Sequence, residues 1–164
     1  MNPGPLHRNT LRVVAAAAEL GVTIQVRRFP EGTRTAADAA AAIGCDLGAI
    51  VKSLVLASDA GPLLVLTSGR NQVDYDKVAA AVGAGGVRRA DADAARAATG
   101  FPIGGTPPFG HQAPLAILCD ADLLGYQQIW AAAGTPDTVF PLPPDRLLAA
   151  TGAEVADVAQ RPLP

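Results

Sequence analysis

Apolar residues recur along this chain at two spacings, and the alternation between them predicts its elements. In LRVVAAAAEL (11–20), Leu11, Val14, Ala15 and Ala18 fall on one helical face, with Asn9 or Thr10 as cap and Gly21 as stop. VTIQVRRF (22–29) then alternates Val22, Ile24 and Val26 with Thr23, Gln25 and Arg27, the period of a strand with one buried face, closed by Pro30 and Gly32. Thr35 caps a helix over AADAAAAIG, with Asp38 in its first turn and Gly44 as its stop. AIVKSLVLAS and PLLVLTSG flank the turn DAGP and predict a hairpin of buried strands. Two further short helices come next, DYDKVAAAVG between Asp74 and Gly83, and DADAARAAT from Asp91, with GVRRA between them. PLAILCD reads as a buried strand and DLLGYQQIWAAAG as a turn with a strand or short helix. DTVFPLP reads as an edge strand limited by proline, PPDRLLAATG as a closing helix with Pro144 near its start, and the tail adds at most one short strand.

Strands and short helices interleave without the rhythm of repeated βαβ units, so the expected fold is mixed α/β. It is a mixed, partly closed barrel-like sheet surrounded by short helices. No repeat or linker divides the 164 residues, which predicts one domain over 1–164, with its core at about 25–160 and an N-terminal helix at about 10–20. A formal charge of -2 offers no general attraction to long nucleic acid and gives no reason to expect DNA as a partner, so an RNA partner would be met at a local site. Cys45 and Cys119 lie far apart outside any zinc-ligand spacing, which predicts reduced thiols and no metal site. No run of apolar residues is long enough to span a membrane and the first residues carry no apolar signal core, so a soluble cytoplasmic protein is expected.

Two features carry candidate chemistry. Lys52 stands inside the apolar run AIVKSLVL, either snorkelling from a solvent-facing side or presented from a rigid strand into a pocket as a compact cation. GFPIGGTPPFGH (100–111) spends four glycines and three prolines on twelve positions, more than a plain turn needs. It fits neither a P-loop nor a dinucleotide fingerprint. Gly104 and Gly105 permit unusual backbone angles and Pro107 and Pro108 stiffen the next turn, so amides beside the glycines can face a carbonyl or oxyanion. His111 is a general base, a ligand contact or a surface histidine, and no serine or cysteine beside it completes a triad. Asp120, ending a strand, either caps the next turn or orients an amine, while Thr33 and Thr35 cap a helix or line a pocket mouth.

FPEGTRTAADAAAAIG, AIVKSLVL, the loop GFPIGGTPPFGH and the ending IWAAAGTPDTVFPLPPDRLLAATGAEVADVA together resemble the YbaK-type, prolyl-tRNA-synthetase-associated editing domains in order and spacing, from about residue 25 to 160. The most specific parts are the lysine in an apolar strand, Lys52, and a GxxxP loop, matched by Gly104, Gly105, Thr106, Pro107 and Pro108. The resemblance implies a trans-acting aminoacyl-tRNA deacylase that cuts the ester between a wrongly attached amino acid and the terminal adenosine. Lys52 would anchor the substrate and the loop backbone would position the ester carbonyl, with no cofactor and no protein nucleophile. It implies the acceptor end of mischarged tRNA as partner, with a synthetase as a possible second partner. Phe29, Thr33, Thr35, Ser53, Phe109, Gly110, His111 and Asp120 are the expected substrate contacts. The competing reading is a non-catalytic tRNA- or synthetase-binding module of the same fold. An unrelated esterase or nucleotide-binding protein would need a nucleophile or phosphate motif that the chain lacks.

Overall fold

A computed structural model describes residues 4–29 and 35–161 of the chain. The helices are α1 (Arg8–Glu19), α2 (Ala36–Ile43), α3 (Tyr75–Val82), α4 (Ala92–Thr99) and α5 (Pro144–Thr151). The strands are β1 (Arg27–Arg28), β2 (Val51–Ser58), β3 (Leu63–Ser68), β4 (Val87–Arg89), β5 (Ala116–Asp120), β6 (Ile129–Ala132), β7 (Thr138–Leu142) and β8 (Glu154–Ala156). The strands form a five-stranded mixed sheet, β4-β2-β3-β5-β8, and a three-stranded antiparallel one, β1-β7-β6. The mixed α/β class expected from the sequence is the one observed, but in two open sheets rather than one closed surface. They meet where β2 begins, at a parallel bridge between Ile50 and Trp130. No described helix is long and apolar enough to cross a membrane.

Local chemistry explains most boundaries. Thr35 and Asp38 form a reciprocal capping box at α2, in which the Thr35 hydroxyl accepts from Asp38 N–H and the Asp38 carboxylate from Thr35 N–H. Asp74 and Asp91 cap α3 and α4, while Gly83, Gly100 and Gly152 end α3, α4 and α5 in the left-handed conformation. The turn DAGP joins β2 to β3 as the expected hairpin, with Val51 opposite Ser68 and Leu56 opposite Leu63.

Three expectations are corrected. The cap of α1 is His7, whose Nδ1 accepts from Asn9 N–H at 3.0 Å. The helix starts earlier than expected because Thr10 is needed inside, fully buried beside Thr138. The stretch 22–29 keeps its alternation of burial, with Ile24 buried between exposed Thr23 and Gln25, yet only Arg27–Arg28 pairs as a strand, against β7. Its apolar side chains pack on the core, while no strand among the described residues pairs with residues 22–26. DTVFPLP is not an edge: β7 is the middle strand of its sheet, and Pro141 is tolerated because β1 pairs only with Thr138 and Val139.

The odd-numbered residues of β2, among them Val51 and Val55, face a large core that includes Leu64, Leu66, Phe101, Phe140 and Leu147. Leu56 on the other face joins Leu63, Val65, Val78 and Leu118 in a second cluster beneath α3. A third contact is made with almost no side chain. A Cβ placed on Gly105 would lie 2.9 Å from the backbone of Gly134 and Thr135, and one on Gly134 would lie 2.8 Å from the Asn9 backbone. Three segments, the start of α1, the β6–β7 turn and the glycine-rich loop, are thus stacked backbone on backbone. Replacing Gly105 with Ala is expected to cost about 1–3 kcal/mol through overpacking, and Gly134→Ala more, because its φ of 100° is also unfavourable for a side chain. Gly86→Ala, with open space around its Cβ, should stay within about 0.5 kcal/mol. Urea midpoints of the three variants check the order.

Candidate functional site

β2 is paired with β3 along one edge, but its other edge has two partial neighbours. β4 covers Leu56 to Ser58, β6 approaches only at Ile50, and the strand between them is left uncovered. The Val55 carbonyl accepts from Ala90 N–H on this edge and the Ile50 carbonyl from Gly69 N–H on the other, so strand alternation turns the main-chain groups of Ser53 into the gap. A cavity of about 290 Å³ fills that gap. Lys52 and Ser53 of β2, Gly104 and Thr106 of the glycine-rich loop, and Phe29, Thr35 and Trp130 are among the residues that line it. The Ser53 hydroxyl is buried and has no hydrogen-bond partner among the described residues, an uncompensated cost of roughly 1–3 kcal/mol.

Lys52 points to the face opposite Ser53, where its Nζ donates to the main-chain carbonyl of Asn71 at 2.6 Å. Partial burial pulls its pKa down, the nearby Arg89 guanidinium adds to that, and the Asp120 carboxylate opposes both. Asp120 is fully buried and accepts from Ser68 N–H and from the Asn71 side-chain amide at 2.8 Å. It also caps the short 3-10 turn Ala121–Gly125 through Asp122 N–H. Of the two sequence readings of Asp120 the cap is the one observed; it bonds no amine directly, lies behind Lys52 and does not line the cavity. Its charge supports the lysine through Asn71 without forming an ion pair that would neutralise it.

The glycine-rich loop presents only part of itself. Gly104, with φ of 88°, and Thr106 reach the cavity wall. Gly105 turns away to its contact with Gly134, and its N–H is held by the Pro102 carbonyl, which the Thr106 hydroxyl also uses. Pro107, Pro108 and Phe109 are buried, the last with its ring centroid 5.7 Å from that of Phe140. Gly110 packs toward Ala16 of α1. His111 donates from Nε2 to the Pro107 carbonyl at 2.8 Å, since a carbonyl can only accept, and burial depresses its pKa. These five residues brace the loop from behind and do not line the cavity. Thr33 lies outside the described residues. Neither cysteine offers a nucleophile: burial raises both thiols, Cys119 to about 11.

Several lining residues escaped the sequence reading. Arg89 is half of an arginine pair on a short strand, where alternation sends the two side chains to opposite faces and one of them to the cavity. Trp130, the single tryptophan, is half-buried on the cavity wall with the Arg27 guanidinium 5.9 Å from its ring centroid. Ile103, 47% exposed at the cavity rim, was visible as the apolar residue in the middle of the loop. Thr138 carried no signal, because it becomes a lining residue only when β7 is placed beside the cavity.

Residues 30–150 match the model of the aminoacyl-tRNA editing domain. The chain is similar to a solved structure described as a proposed trans-editing enzyme for prolyl-tRNA synthetase, at 44% identity and a TM-score of 0.92 over 96% of this chain and all of the other. It is 26% identical over 134 residues to EbsC of Enterococcus faecalis, a proposed Cys-tRNA(Pro)/Cys-tRNA(Cys) deacylase, covering 81% of this chain and 82% of that one. It is also 29% identical over 107 residues to the proline–tRNA ligase of a Geobacter species, covering 65% of this chain. The chain spans only about a fifth of that ligase, 19% of its length. With the family model covering most of the sequence and the fold shared end to end with an editing-enzyme structure, the chain belongs to the aminoacyl-tRNA editing domain family.

Proposed function

We propose that this chain deacylates mischarged tRNA in trans, in the cytoplasm and alongside prolyl-tRNA synthetase, using the cavity beside β2 to hold the aminoacyl ester. The observation that carries this reading is that Lys52 and two residues of the braced glycine loop, Gly104 and Thr106, line one small cavity together. At about 290 Å³ the space is near the low end for ligand sites and takes an aminoacyl group with its ester, leaving most of the nucleotide at the mouth.

An ester of this kind needs orientation and stabilisation of charge more than it needs a nucleophilic side chain. Water adds to the acyl carbon, the carbonyl oxygen becomes an oxyanion, and the bond to the ribose oxygen breaks as that oxygen takes up a proton. The Gly104 and Thr106 amides face the oxyanion without reorganising, because the stack of Gly105 on Gly134 already fixes the loop between them. Lys52 anchors the negatively charged part of the substrate, and Asn71 with Asp120 holds its ammonium in place.

Lys52→Ala is expected to lower deacylation of mischarged tRNA by about 10²-fold or more with little change in the urea midpoint. The measurement is a panel of mischarged tRNAs assayed with both proteins. Equal rates for the two proteins would remove Lys52 from the mechanism. Tight tRNA binding by wild type with no turnover on any substrate would favour the non-catalytic module instead.

His111→Gln should keep deacylation near the wild-type rate, because the ring braces the loop from outside the cavity. Its signature is in stability. The folded pKa lies below the ordinary 6.5, so above that pH both states are neutral and the histidine contributes nothing. As pH falls through 6.5 the unfolded chain takes up its proton first, and stability is lost until the folded pKa is passed. Urea midpoints at pH 7.5 and 5.5 should therefore differ less in the variant than in wild type.

A further inference from the structure

A second, wider groove lies on the far side of the β6–β7 turn from the cavity. It encloses about 620 Å³ and shares Pro136 and Thr138 with the cavity, so the turn is the rim between them. Three guanidinium groups line it, Arg8 from the first turn of α1, Arg28 from β1 and Arg96 from the last turn of α4. Arg28 donates to the Pro5 carbonyl at 2.9 Å. Arg8 and Arg96 are exposed and take part in no ion pair among the described residues. The one carboxylate in the lining, Asp137, accepts from the Thr135 hydroxyl at 2.6 Å. Among the described residues, three cations and one anion thus gather in a groove of a chain whose formal charge is -2.

Resting on the deacylase reading, we infer that this groove holds the phosphodiester backbone of the RNA strand leading to the aminoacylated adenosine. Its continuity with the cavity is the argument. For a substrate whose ester sits between Lys52 and Gly104, the Pro136–Thr138 rim that the two spaces share gives the strand attached to the ribose a direct way into the groove. On that side it meets Arg8 and Arg96, whose planar donor arrays suit phosphate oxygens. The backbone stack makes the two sites one rigid unit, because Gly134 separates Gly105 on the cavity side from the start of α1 on the groove side. A protein with little general affinity for nucleic acid thereby acquires a local anionic track where its substrate requires one.

The test compares Arg8→Ala/Arg96→Ala with wild type on two substrates, mischarged tRNA and the same amino acid esterified to adenosine alone. The double variant should lose about tenfold or more in kcat/KM on tRNA. Its log–log salt dependence should flatten by about 0.7 per lost phosphate contact. Hydrolysis of the adenosine ester should be unchanged, and Arg8→Lys/Arg96→Lys should restore much of the tRNA rate. An unchanged tRNA rate and salt slope, or an equal fall on both substrates, would overturn the groove while leaving the deacylase reading intact. A wild-type protein inactive on both substrates would instead remove that reading, and the groove assignment with it.

Discussion

Where Gly105 crosses Gly134, and Gly134 crosses the first turn of α1, the chain passes over itself with no side chain between the strands of backbone. That closeness sets the position of everything around the cavity. It holds Gly104 and Thr106 against the space beside β2, it fixes the β6–β7 turn that bears Pro136 and Thr138, and it ties both to α1. Side-chain packing could not do this with the same precision, since even a methyl group at either glycine enters the neighbouring backbone. The prolines complete the constraint from the other end, with Pro107 accepting from His111 and the buried Phe109 seated against Phe140.

The electrostatics show a similar economy. A half-buried lysine tends to lose its proton, and Arg89 nearby increases that tendency. Pairing Lys52 directly with a carboxylate would keep the charge but consume it. Asp120 instead sits one residue behind, bonded to the Asn71 side chain, while the Asn71 carbonyl receives the ammonium. The cation is positioned and supported while still able to meet a substrate anion.

How far the fold is legible in the sequence depends on which interactions are local. Helix caps at Thr35, Asp74 and Asp91, the β2–β3 hairpin and the stops at Gly44, Gly83 and Gly152 are set by neighbours a few residues apart, and all were legible. The start of α1, the thin pairing of residues 22–29 and the central place of β7 depend on distant partners, and these were misread. The site divides in the same way. Lys52 and the loop stood out because each violates its local context, a charge in an apolar run and a costly excess of glycine and proline. Arg89, Trp130 and Thr138 violate nothing locally and become lining residues only through the fold. Phe109, Gly110 and His111 stand out as members of the loop, and their contacts are with the core, with α1 and with the loop's own Pro107 carbonyl rather than with the cavity.

An unpaired stretch in the middle of a strand is usually a liability, because its amides and carbonyls invite another chain. Here β4 and β6 cover the two ends of the β2 edge and leave a gap too short and too recessed to accept a strand. The main-chain groups of Ser53 that remain open there are preorganised by the sheet itself. A chemistry that rests on oriented dipoles and a placed cation, with no attacking side chain, needs such a gap more than it needs a triad. The same interruption of the sheet that leaves β2 uncovered therefore supplies both the volume for the ester and the rigid polar wall against which it is held.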